Sequence, residues 1–128
     1  MDFLTPKYTP GDVLDVAKID HTTLSNWLRR GLLDRLGATR PEGSWLKYSL
    51  LDVITITAEA QLAFLGITPR ARQETHMAEH ISARCMALIN RLPLEHRLIF
   101  TSPGNAAKIT VDCRQLADEV LSALHTKT

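Results

Sequence analysis

The chain has 128 residues, 45% hydrophobic and 23% charged, which suits one packed domain or a small domain with an appendage. No apolar run approaches the roughly 18 residues of a membrane span, and "MDFLTPKYTPGD" lacks the basic-then-apolar order of a secretory leader, so the chain is expected in the cytoplasm, away from membranes. A net charge of +1 neither supports nor excludes a nucleic-acid partner.

In chain order, Thr9-Pro10 reads as a helix entry, Thr9 capping and Pro10 at the first helical position. A short helix to about Lys18 would bury Val13, Val16 and Ala17. Asp20 is a second N-cap, opening a helix from His21 to about Arg30, with Gly31 at the position that ends helices in the left-handed conformation. Two short helices joined by a tight turn form a helix-turn-helix unit. Within the second helix Leu24 and Leu28 are expected to face inward.

The stretch "DRLGATRPEGSWLKYS" carries Gly37, Pro41 and Gly43 and reads as a loop or short β-hairpin, with Trp45 and Lys47 on the returning strand. Ser49 with Asp52 approximates a capping box for a buried helix over residues 50–65, ended by Gly66. Thr68-Pro69 opens what reads as one long helix to about Arg91, stopped before Pro93. Its apolar positions Met77, Ile81, Cys85, Leu88 and Leu92 form a narrow, seam-like stripe, expected to pair with a second copy. The alternative is that this half folds back onto the first. "RLIF" and "AAKITV" flank the turn-rich "TSPGN" and predict a β-hairpin. Asp112 caps a last helix with Leu116, Val120, Leu121 and Leu124 on one face.

The fold class expected is therefore mainly α. Residues 1–68 form a winged helix-turn-helix head, and residues 69–128 a long helix, a β-hairpin and a C-terminal helix serving dimerisation. Positive charge gathers in the head: Arg29, Arg30, Arg35, Arg40 and Lys47 face only Asp34 and Glu42 between residues 29 and 47. Such a patch can contact phosphates or can be a solvated face.

"YTPGDVLDVAKIDHTTLSNWLRRGLL", Arg40, "GSWLKYSLLDV" and "AFLGITPRAR" resemble the N-terminal domain of MerR-family transcription regulators over residues 8–72. Related heads occur in phage excisionases and in small subunits of packaging terminases. The resemblance implies that the second helix enters the major groove and the wing touches the flanking backbone. Carried over by position, His21, Thr22, Thr23, Ser25, Asn26, Arg29 and the neighbouring Arg30 meet DNA, with Arg40, Trp45 and Lys47 on the wing. Asn can bond an adenine edge twice, and Arg reaches guanine or phosphate. Trp27 stands where the family commonly has an aromatic. Its ring would pack beneath the wing while its indole N–H donates to phosphate; the other reading is a wholly buried side chain. The chain departs from the family at Ser25 and Leu46, where arginines are usual.

The function these features predict is a sequence-specific double-stranded DNA-binding transcription regulator of bacterial or phage origin, a nucleoid-associated homodimer. RNA polymerase or a phage protein is a further candidate for contact. The alternatives are an excisionase-like architectural or phage DNA-packaging factor, and a protein-interaction module without DNA binding, such as an antitoxin or anti-regulator. No nucleophile–base arrangement, phosphate loop or paired carboxylate motif points to an enzyme, and no cofactor is expected. His76 and His80 have metal-ligand spacing but read as an exposed polar face. Cys85 and Cys113 belong to no CxxC pair and suggest no disulfide framework, with Cys85 a small core hydrophobe.

Overall fold

A computed structural model describes residues 1–34 and 47–127. The described residues form α1 (Pro10–Ala17), α2 (His21–Arg29), α3 (Leu50–Phe64), α4 (Pro69–Glu74), α5 (Met77–Ile89), β1 (Arg97–Thr101), β2 (Lys108–Asp112) and α6 (Cys113–His125). The fold is mainly α with one antiparallel hairpin. None of its described helices is long and apolar enough to cross a membrane.

Local chemistry sets most of these boundaries. Thr9 and Asp12 make a full capping box at α1, each side chain bonding the other's backbone N–H. Ser49 and Asp52 do the same at α3. Such reciprocal bonds satisfy two of the N–H groups a helix start leaves open. Thr68 and Asp112 cap α4 and α6. At the hairpin, Arg97 pairs with Asp112 and Thr101 with Lys108, and a 3-10 turn over Pro103–Asn105 joins the strands.

α3 is the axis of the molecule. Twelve of its 15 residues are buried, and α1, α4, α5 and α6 all pack on it. The threonines this burial traps are satisfied locally: Thr55 Oγ1 donates to the Leu51 carbonyl at 2.8 Å and Thr57 Oγ1 to that of Val53 at 2.7 Å. One apolar core runs from Val13 through Val53 and Ile54 to Ile81, Val120 and Leu124. The division after residue 68 thus separates two stretches of chain that share a core.

Two expectations are corrected here. The single long helix over residues 69–91 is two helices. Thr75 ends α4, its hydroxyl bonding the Ala71 carbonyl at 2.8 Å, and His76 takes a left-handed conformation with φ 49°. A left-handed residue just past a C-cap is a common helix terminator, normally signalled by Gly or Asn; His gives no such warning in the sequence. The chain then turns, and α5 starts on a new axis.

The seam is also not a surface. Met77, Ile81, Cys85 and Leu88 are buried by α3 and α6 of the same chain, with Ile81 only 1% exposed. They do not face a second copy, because α6 folds back and covers them. Leu92 lies beyond α5, past Arg91 at φ 64°, and is exposed.

Candidate nucleic-acid interface

α2 is built to hold one face inward and leave the other open. Its start is fixed by Asp20, whose carboxylate accepts the Thr23 N–H at 2.8 Å; that bond holds the carboxyl below its ordinary range. The turn from α1 is made by Lys18, left-handed at φ 60°, whose N–H returns to the Leu14 carbonyl. Only Lys18, Ile19 and Asp20 separate the two helices. At the far end Gly31 takes φ 93°, and a Cβ there would come within 3.0 Å of the Asp34 carboxylate. Gln73 of α4 donates to the Arg30 carbonyl at 3.0 Å, tying the end of α2 to the second half of the chain.

The inward face consists of Leu24 and Trp27, both buried, with Leu28 half-buried beside them. Helical spacing then turns residues 22, 25, 26 and 29 outward. His21, Thr22, Arg29 and Arg30 are exposed, and Thr23, Ser25 and Asn26 are half-buried. The Arg29 guanidinium donates to the Asn26 side-chain oxygen, so the two residues are already aligned on one ridge.

Trp27 is corrected to the interior. It is 8% exposed, and its ring lies under the Arg72 guanidinium, 5.7 Å from centroid to Cζ. Its place on the inner arc beside Leu24 follows from the three-residue step between them. Trp27 is therefore withdrawn from the contact set. Leu28, expected to be fully inward, sits at the edge of the arc.

Of the residues expected on a wing, Arg40 and Trp45 lie outside the described residues. Lys47 is exposed, immediately before Tyr48, which forms an antiparallel bridge with Tyr8 through bonds of 2.8 and 2.9 Å. This bridge anchors the chain where it enters α3 and places Lys47 beside it.

What supports α2 from below is a charged cluster that the sequence reading missed. Glu59 of α3 and Arg72 of α4 are a buried ion pair, 6% and 5% exposed. Arg72 donates also to the Ile67 carbonyl, and its guanidinium stacks over Trp27. Burial raises the Glu59 carboxyl above its ordinary value, with the hydrogen bond from Arg72 opposing. One signal was present: a lone glutamate in the middle of a helix expected to be buried needs a buried cation. A cavity of about 300 Å³ opens next to this cluster, between Trp27, Leu32, Pro69 and His76.

The arrangement can present donors, acceptors and cations along one ridge. Among the described residues no group of three or more His, Cys, Asp or Glu is placed to hold a metal. His76 is half-buried at the break between α4 and α5, and His80 is exposed one turn on. No family model, curated protein or solved structure matches this chain.

Proposed function

We propose that this chain is a double-stranded DNA-binding protein, a transcription regulator that reads the major groove with the outer face of α2. The single observation that carries the reading is that face. It is a capped helix anchored by Leu24 and Trp27 on one side, with His21, Thr22, Asn26, Arg29 and Arg30 accessible on the other. Thr22 and Asn26 supply donors and acceptors that match base edges. Arg29 and Arg30 supply charge for phosphates. A rigid inner side matters because a reading helix must hold its donors in register while the backbone contacts orient it.

The likeness to MerR-type heads supports a winged helix-turn-helix arrangement, in which Arg40, Trp45 and Lys47 flank the groove. Use of two heads on one site is part of this reading. Pairing would then engage surface other than the α5 stripe, such as the exposed Leu92, Leu94 and Ile99.

Titration of the intact chain with labelled duplex tests the proposal, using its own upstream region and random sequence at a series of salt concentrations. The expected result is binding whose logarithm falls linearly with the logarithm of salt, tighter on one sequence than on the random duplex. Absence of any duplex affinity at low salt, together with recovery of one stoichiometric protein partner, overturns it in favour of an interaction module.

A further inference from the structure

Cys85 and Cys113 are 28 residues apart in sequence, on α5 and at the first position of α6. The fold brings them together. The Cys85 thiol donates to the Cys113 carbonyl at 3.3 Å, and the Cys113 thiol donates to the Val111 carbonyl at 3.8 Å. Both side chains are buried and both are free thiols. Two cysteines in contact, on elements whose connection is a whole hairpin, are placed by tertiary structure alone.

We propose that this pair is a site of oxidative modification, at which a hydroperoxide converts the two thiols to an intramolecular disulfide that staples α5 to the start of α6. The chemistry divides between the two residues. Cys113 is the attacking sulfur. It stands at the N-terminus of a 13-residue helix, and its thiol is lowered first by the Cys85 side chain beside it, with burial opposing, Arg84 adding to the lowering and Asp112 countering it. Cys85 is the resolving sulfur, its thiol raised by the hydrogen bond to Cys113 and by burial, so it keeps its proton until the second step.

In the first step the Cys113 thiolate attacks a peroxide oxygen. The O–O bond breaks, the leaving hydroxide takes a proton to become water, and Cys113 becomes a sulfenic acid. In the second step the Cys85 sulfur attacks the sulfenic sulfur. The S–O bond breaks, and the departing hydroxide takes the Cys85 proton as a second water. Two thiols and one hydrogen peroxide give one disulfide and two waters; the sulfurs lose two electrons and the peroxide oxygens gain them.

Burial makes the first step slow, because the peroxide must reach sulfurs that solvent does not. The route is local opening at the start of α6, where the Cys113 N–H bonds the His96 carbonyl at 2.7 Å and Arg114 bonds the Leu88 carbonyl at 3.1 Å. The same packing holds the resolving thiol beside the sulfenic acid, so the second step outruns further oxidation. The proposal is independent of what α2 binds.

Treatment of the intact reduced chain with hydrogen peroxide, followed by alkylation in denaturant and intact-mass analysis, tests the pair. The expected product has lost two hydrogens and both alkylatable thiols while remaining a monomer. Cys85→Ser should instead stop at oxygen adducts on Cys113. Accumulation of oxygen adducts or intermolecular dimers in the unsubstituted chain overturns the proposal, as does a folded chain whose thiols stay reduced while the unfolded chain oxidises. Equilibration in glutathione buffers adds a thermodynamic readout. The folded chain should favour the disulfide at least tenfold over the urea-unfolded chain, about 30 mV for this two-electron couple. A ratio of one or less means that the folded geometry opposes the bond and rules the pair out as a disulfide site.

Discussion

α2 and α5 look alike in the sequence. Each is a short helix with apolar residues three or four apart and polar residues between them. In the fold they have opposite fates. α2 buries Leu24 and Trp27 and leaves His21, Thr22 and Arg29 exposed on its other side, with Ser25 and Asn26 half-buried among them. α5 lies between α3 and α6, and its stripe is consumed by the chain's own core. Amphipathic spacing shows which side of a helix wants cover. It does not show who supplies the cover, since a second copy and a later segment of the same chain satisfy the same hydrophobic demand.

The comparison can be broken at several points. Glu59→Ala should have the largest effect, about 3–5 kcal/mol of lost stability, because it leaves Arg72 charged, buried and short of its carboxylate beneath α2. Thermal melts should fall by about 9–25 °C, at roughly 3–5 °C per kcal/mol for a chain of this size. A shift of only a degree or two would mean that α2 does not depend on the cluster. Ile81→Ala should cost about 2–5 kcal/mol by opening a cavity in the core. Leu92→Ala, on an exposed residue of the same expected seam, should stay within about 0.5 kcal/mol. Equal losses at both positions, or a loss at Ile81 that vanishes on dilution, would restore the stripe as an intermolecular surface.

On the open helix the effects should fall on binding instead. Asn26→Ala should cost on the order of 1–3 kcal/mol of discrimination between its preferred and substituted base pair, with folding nearly unchanged. Because Asn26 accepts from Arg29 in the free chain, the substitution also releases that guanidinium, so random-duplex affinity should hold steady or rise slightly. Arg29→Ala should weaken all duplexes alike and lower the salt slope by about one unit. Loss of folding in Asn26→Ala, read by circular dichroism, would mean that the outer face has been assigned wrongly.

The smallest effect sharpens the link between α2 and its support. In the folded chain burial raises the Glu59 carboxyl above its ordinary value of 4.5, so the native state binds that proton more tightly than the unfolded chain does. The stability this proton contributes is therefore complete below the unfolded value and is lost as pH rises through the folded value. Glu59→Gln keeps an acceptor for Arg72 but cannot titrate. Melts of both proteins between about pH 4 and 7 should show a decline with rising pH in the unsubstituted chain that the variant lacks. Parallel curves would mean that Arg72 offsets the burial completely.

Much of this architecture was legible because it rests on local chemistry. Thr9-Pro10, Asp20, Ser49, Thr68-Pro69 and Asp112 each mark a helix start, and each caps one in the structure. A cap is read within three residues, so the sequence carries it directly. Gly31 ends α2 as its spacing implied, and the "RLIF"/"AAKITV" hairpin forms around the turn between them. The outward arc of α2 followed from two leucines and the helical repeat, although Trp27 took the central inward place that Leu28 was expected to share.

Apart from the helix break at His76, the disagreements concern what meets what. The amino-acid sequence determined by itself where the capped helices begin, which residues want burial and where charge gathers, since these depend on neighbours a turn or less away. Only the tertiary structure decided that α6 would cover the α5 stripe, that Glu59 would reach Arg72 thirteen residues on and hold it over Trp27, and that Cys85 would touch Cys113. Those contacts join elements through turns such as the left-handed His76, whose direction no local signal announces. Burial is a demand shared by all apolar residues, and the choice of partner is settled only when the whole chain has packed around α3.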